Sequence, residues 1–190
     1  MKRIDLPTNE KAMRDLKVGD AVELYGTIVT ARDAAHKLMI EKKPEFIRSH
    51  LKNGVIYHCG PVMEKKRDKW RVVAAGPTTS IREEPYEAAV MKEYDVRVII
   101  GKGGMGQKTL DACKQLGAVY LHAIGGAAVL AADTVTNVKE VFLLDELGVP
   151  EAFWVFEVEG FKAVVTMDSK GHSLHKRVRN ASKKQLQQLM

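Results

Sequence analysis

Cysteine, aromatic residues and long apolar runs are all scarce in this chain, and acidic residues vanish from its last part. Only Cys59 and Cys113 occur among 190 residues. Two thiols do not make a disulfide scaffold. In an otherwise ordinary composition they point to a reducing compartment, here the cytoplasm. No stretch reaches the roughly 18 apolar residues of a membrane span, and no charged-then-apolar leader is evident. The expectation is a soluble, non-exported chain with no membrane partner. Aromatics make up 6%, too little for the stacking platform that single-stranded nucleic acid requires. After Asp168 there is no acidic side chain, while Lys170, Lys176, Arg177, Arg179, Lys183 and Lys184 follow. Those six carry the whole net charge of +6, because removing them from 30 basic residues leaves 24 against 24 acidic ones. The body is therefore neutral, and a general nucleic-acid surface is not expected.

What is present is an apolar fraction of 45%, ample for one buried core, with no linker-like shift in composition. The reading is a single domain over 1–168 followed by a basic tail at 169–190. Residues 1–19 read as a polar, irregular lead-in. Val22–Thr30 reads as a strand, with Gly26 as a bulge or close approach. Asp33–Lys43 follows as a helix and Val55–Cys59 as a short strand. Trp70–Ala75 is a strand, Pro85–Tyr94 a helix and Arg97–Ile100 another short strand. A glycine-rich turn at Gly101–Gly106 opens a helix to about Leu116. Ala118–Ile124 is the next strand, with a small-residue helix over Gly125–Ala132 and then Val135–Leu144. Ala152–Val158 and Phe161–Met167 read as a hairpin around Glu159-Gly160. Strands interleaved with helices give an α/β domain, and the closing hairpin makes its sheet mixed.

The segment richest in chemistry is Gly76-Pro-Thr-Thr-Ser-Ile-Arg82. Hydroxyls and backbone N–H groups gathered where a strand yields to a helix suit an oxyanion. Arg82 adds a planar fork for a carboxylate or phosphate. Taken alone, a capped helix start with Thr78, Thr79 or Ser80 as N-cap is the commoner outcome. Gly101-Lys-Gly-Gly-Met-Gly106 has the form of a dinucleotide fingerprint, but no acidic residue for a ribose follows at Leu121–Gly126. As a phosphate loop it is out of register, since Gln107 separates Gly106 from Lys108-Thr109. What survives is a helix N-terminus with free N–H groups and Lys102 beside it. Arg32 and Asp33 fall where a strand meets a helix, and His36 lies one turn on, as readily a packing residue as a proton carrier. His58 and Cys59 are adjacent and so face opposite sides of a strand, which argues against a metal site, and none is expected in this chain.

Together these stretches resemble the C-terminal domain, or β subunit, of class I iron–sulfur fumarases and the related L-tartrate dehydratases. The resemblance rests on YGTIVTARDAAHK (25–37), YHCGPV (57–62), AAGPTTSIR (74–82), VIIGKGGM (98–105), AIGGAAVLAA (123–132) and ELGVPEAFWVFEVEGFKAVV (146–165). It implies a single domain of the swivelling β/β/α type and a hydro-lyase that interconverts (S)-malate and fumarate. It also implies a [4Fe–4S] cluster ligated by three cysteines of an α subunit, so that this chain binds no cofactor itself. The partner would be that α subunit, in a heteromer such as α2β2, acting on a small dicarboxylate. By the same resemblance Arg32, Arg82 and Lys102 bind substrate, and Thr78 is the base that takes the C3 proton. A threonine hydroxyl is a poor base in water and needs a dry site with a further acceptor. One departure is Glu83, where the family more often has methionine. Two other readings stay open: an L-tartrate dehydratase β subunit, and a non-enzymatic anion- or RNA-binding module that uses the tail.

Overall fold

The computed structural model describes residues 1–189. Its centre is a run of parallel strands, β1 (Lys2–Asp5), β2 (Ala21–Thr30), β3 (Val55–Tyr57), β6 (Val98–Gly101) and β7 (Val119–His122), each hydrogen-bonded to the next. The long strand β9 (Phe153–Met167) runs antiparallel to both β7 and β2, so the pairings β2–β3–β6–β7–β9–β2 close on themselves. β8 (Val135–Phe142) adds to β9 from outside, also antiparallel. The sheet is mixed and the domain is α/β, as the interleaved pattern predicts.

Closure explains the sequence pattern. Inside the ring sit Val22, Leu24, Ile28, Val55, Tyr57, Val98, Ile100, Val119, Leu121, Phe156 and Phe161. The opposite face places Ile56, Ile99 and Tyr120 under helices. These are α2 (Asp33–Lys42), α3 (Arg48–Leu51), α4 (Glu87–Tyr94) and α5 (Gln107–Leu116). Strands β3, β6 and β7 are thus buried on both sides, which is why they read as unbroken apolar runs rather than alternating ones. β4 (Val62–Lys66) and β5 (Lys69–Ala74) form a separate two-stranded hairpin, against which α6 (Ala128–Asp133) packs. The short helix α7 (Leu144–Leu147) precedes β9.

Two readings need correction. The lead-in is not irregular: β1 pairs along β2, and α1 (Glu10–Arg14) is capped by the Asn9 side chain, which accepts from Ala12 N at 2.9 Å. The hairpin at Glu159-Gly160 does not form either. β9 continues through it, because Tyr25 pairs with Glu159 and Leu24 with Phe161, leaving Gly160 as a bulge that lets one strand bend around the ring. The basic tail contains the helix α8 (Leu174–Leu189), none of whose residues is buried. No helix among the described residues is long and apolar enough to cross a membrane.

Phe161 meets Tyr57 edge-on inside the ring, with centroids 5.2 Å apart. Phe161→Ala is expected to cost about 3–5 kcal/mol, since it opens a cavity that the closed ring cannot collapse. Chemical denaturation reads the loss directly.

Candidate functional site

The parallel strands deliver their carboxyl ends to one edge of the ring, the usual place for a ligand in α/β sheets. β2 is followed by Ala31-Arg32, β3 by His58-Cys59 and β6 by Lys102. The segment after β5 crosses this edge like an extra strand. Thr78 N and Thr78 Oγ1 both donate to the His58 carbonyl, at 2.7 and 3.1 Å. Lys102 N donates to Thr78 O at 3.3 Å, and Ser80 N donates back to Lys102 O at 3.1 Å. Thr78 and Lys102 are therefore stitched together by the main chain. Pro77 bridges Cys59 on the other side.

The two arginines reach the same edge. Arg32 lies across Gly60, where a side chain would force its neighbours to shift: a Cβ there would sit 2.6 Å from Arg32 Nη1 and 2.9 Å from Pro150 O. Its Nε stands 3.3 Å from Glu151 Oε1, while Glu151 Oε2 accepts from Ala34 N at 3.0 Å. Arg82 pairs with Asp33, the neighbour of Arg32. All four residues singled out in the sequence thus meet at one edge. Lys102 makes no ion pair among the described residues.

Part of the backbone that the sequence offers as an anion nest is already engaged. The N–H groups of Thr78 and Ser80 are already taken, and Ser80–Arg82 forms a single 3₁₀ turn without a side-chain cap. The helix N-terminus beyond the glycine-rich turn is closed too. Glu84 accepts from Gly106 N at 2.7 Å, Lys108 N at 3.0 Å, Thr109 N at 3.3 Å and Thr109 Oγ1 at 2.7 Å. The protein's own carboxylate occupies the place where a phosphate would bind. The amides of Thr78, Ser80, Gly106, Lys108 and Thr109 are thus already engaged within the chain.

Directly beneath it lies a buried polar cluster that sequence reasoning missed. Glu87, His36 and His58 have no exposed surface. Glu87 Oε2 is 2.7 Å from His58 Nε2 and 3.2 Å from His36 Nε2, and the rings meet edge-on at 5.1 Å. His36 Nδ1 turns the other way, 2.9 Å from the Arg32 carbonyl. With both nitrogens facing acceptors, His36 is built to be an imidazolium. Burial pulls its pKa down, but Glu87 outweighs this and leaves it raised. Burial lowers His58, which stays neutral and donates from Nε2. Burial pushes Glu87 up, yet the two histidines override it and hold the carboxyl at about 2. Glu83 is buried as well, and neither of its carboxyl oxygens has a hydrogen-bond partner among the described residues. Burial pushes Glu83 up to about 7. The available signal was Glu87 itself, an acid in register with Val90, Met91 and Tyr94 on the inner stripe of α4.

The trio of His36, His58 and Glu87 has the proximity of metal ligands. It lacks the fourth ligand of a closed site, and its shared oxygen already takes a hydrogen bond from the His58 ring and pairs by charge with the His36 ring. An iron–sulfur cluster takes thiolates. Cys59 and Cys113 are both free and buried, in separate cores, and burial pushes both thiols up, Cys59 to about 12. The residues of this chain do not fit such a cluster.

Comparison with known proteins agrees with the arrangement of these motifs. The family model described as fumarase C-terminus matches residues 1–178. A Geobacillus stearothermophilus protein provisionally named class I fumarate hydratase is 51% identical over 186 residues, covering 97% of this chain but 35% of that protein. A Methanocaldococcus jannaschii protein provisionally named L(+)-tartrate dehydratase subunit beta is 44% identical, covering 95% of this chain and 94% of its own length. The L(+)-tartrate dehydratase subunit beta of Escherichia coli K12 is 40% identical, covering 92% and 87%. The chain therefore spans about a third of the first relative and most of the other two.

Two substitutions test this geometry. A Cβ on Gly101 would fall onto Ser80 Oγ and lie 3.1 Å from Tyr120 OH and 3.2 Å from His58 Nδ1. Gly101→Ala is expected to cost about 1–3 kcal/mol in denaturant unfolding, by overpacking a buried polar joint. For Glu83, the folded carboxyl sits at about 7 against an ordinary 4.5. The folded state therefore keeps a proton that the unfolded chain has lost, and stability falls as pH rises from the lower value through the upper one. Glu83→Gln is expected to flatten that slope and to raise stability above neutral pH by on the order of 1–3 kcal/mol. Urea melts across pH 4–8 measure it.

Proposed function

The chain belongs to the fumarase C-terminus family, and from that premise we propose that it is the β subunit of a class I fumarate hydratase. The reaction is the reversible addition of water to fumarate to give (S)-malate, at a site shared with a partner α subunit. One observation carries this reading: Arg32, Arg82 and Lys102 converge with Thr78 at the carboxyl edge of β2, β3 and β6. A dicarboxylate needs two cationic clamps at fixed separation, and two guanidinium forks with an ammonium meet that requirement. The iron–sulfur cluster that the family implies belongs to the α subunit, because the thiols here do not suit it. The proposed location is cytoplasmic.

Thr78 is the proposed acceptor of the C3 proton. Its hydroxyl donates to the His58 carbonyl at 3.1 Å, which turns the oxygen lone pairs away from the main chain. A neutral carbonyl does not take up that proton. If Thr78 gains a proton from carbon, its own O–H proton must leave to a stronger acceptor, and a carboxylate of the partner chain fills that role. Binding and orientation fall to the cations. A water-excluding closure against the partner then strengthens every charge interaction in the site.

A second reading has its own support. The relatives whose length this chain nearly fills are named as tartrate dehydratase β subunits, which favours dehydration of L-tartrate by the same residues. Turnover of malate and L-tartrate by the co-expressed αβ pair separates the two. Absence of hydro-lyase activity on either acid sinks both. With the preferred acid, Thr78→Ala is expected to lower kcat by about 10²–10⁴-fold with KM nearly unchanged, as for loss of a proton-transfer group. Arg82→Ala is expected to raise KM by about tenfold or more, as for loss of a charge-assisted clamp.

A further inference from the structure

We propose that Glu87 is the positioning residue of this site, setting Thr78 through His58 and Arg32 through His36. The inference rests on the roles given above to Thr78 and Arg32, and it adds three residues that touch no substrate. Glu87 is buried on α4, beneath the edge where ligand would bind. A single oxygen, Oε2, serves two arms, hydrogen-bonded to His58 and paired by charge with His36.

The first arm runs to Thr78. His58 Nε2 donates to Glu87 Oε2 at 2.7 Å, which fixes the ring. The main chain of the same residue is fixed by its N–H, which donates to Ile100 O at 2.8 Å. Its carbonyl then receives both donors of Thr78, N–H at 2.7 Å and hydroxyl at 3.1 Å. Rotation of the His58 backbone would re-aim the Thr78 hydroxyl, and the Glu87 contact resists that rotation. The second arm runs to Arg32. His36 faces Glu87 with Nε2 at 3.2 Å, and both its Nδ1 and its main-chain N–H point at the Arg32 carbonyl, at 2.9 and 2.8 Å. The backbone that launches the Arg32 guanidinium is held from below.

Stability alone does not account for this arrangement. Buried ionic groups are often no more stabilising than apolar side chains of similar volume. Both arms nevertheless terminate on residues of one site, and none of the three groups has exposed surface through which water could replace it. Misplacement of a reacting group by about 1 Å can cost 10²-fold in rate, so an anchor of this kind matters most for turnover.

The test uses the co-expressed αβ enzyme and the acid it turns over. Glu87→Gln is expected to lower kcat by about 10–100-fold and to raise KM severalfold, with thermal melting confirming an assembled complex. In a Thr78→Ala background the same change is expected to lower kcat little further, since there is no hydroxyl left to aim. Losses that multiply instead would assign Glu87 to general support of the fold and overturn the proposal. His58→Gln keeps an N–H donor near the Nε2 position and is expected to hold kcat within about threefold of wild type, whereas His58→Leu should lose as much as Glu87→Gln. Equal behaviour of the two His58 variants overturns the first arm, and this pair decides the matter if Glu87→Gln fails to assemble. If Thr78→Ala is impaired but Glu87→Gln leaves kcat and KM within about twofold of wild type, the inference fails while the reading of Thr78 stands. A fully active Thr78→Ala enzyme removes that reading, and this inference with it.

Discussion

Moving a carboxylate into a place without water costs several kcal/mol unless charge and hydrogen bonds meet it there. Glu87 is met by two imidazoles on one oxygen. Only one of them needs to be charged to balance it, and the edge-on approach of the rings at 5.1 Å makes two imidazolium ions unfavourable. The division of labour follows from what else each ring faces. His36 has a carbonyl at its far nitrogen and carries the proton, whereas His58 Nδ1 has no partner and stays bare. These constraints fix where β2 and β3 end relative to α4. Removal of one partner would leave a charge stranded in the core, so the three groups stand or fall together.

The ring of strands makes that burial possible. Parallel strands need both faces covered, and here closure covers one face while α2, α4 and α5 cover the other. β9 is the closing piece, long enough to pair with β7 at one end, β2 along its middle and β8 at the other. A hairpin at Gly160 would have left β2 unpaired along half its length. The bulge keeps the ladder continuous and spares the fold an open edge.

How legible this was in the sequence differs by element. The parallel strands and their helices follow from apolar runs bounded by glycine and from stripes at helical spacing, because those patterns record burial directly. The continuity of β9 did not, since a glycine beside a polar residue marks a turn and a bulge alike, and only the partner strand distinguishes them. Glycine-rich turns raised the same difficulty. Gly101–Gly106 looks open to an anion because sequence shows the amides but not Glu84, 22 residues away from Gly106, folding back onto them. The proposed site residues came from family resemblance rather than from spacing. His58 was seen with its neighbour Cys59 as a weak metal pair, while the acid that gives it meaning lay on another element.

The charges at the site edge bear on the proposal that the site is shared between two chains. Arg32 and Arg82 are each balanced by an acid of their own chain, Glu151 and Asp33, and Arg82 is more than half exposed. In water such pairs are weak, and the dicarboxylate proposed above would compete with them for the same forks. Lys102 carries its charge without a partner among the described residues, and beside it the surface turns apolar, with Ile124, Val129 and Leu130 exposed around α6. Ala128 of that helix packs against Gly76 and accepts from Ala75 N, so the apolar patch and the Thr78 loop share one support. A cationic edge gains selectivity for a doubly charged ligand only where the dielectric is low. In the proposed heteromer, the apolar rim beside it is the surface by which the α subunit would exclude water without adding charge of its own.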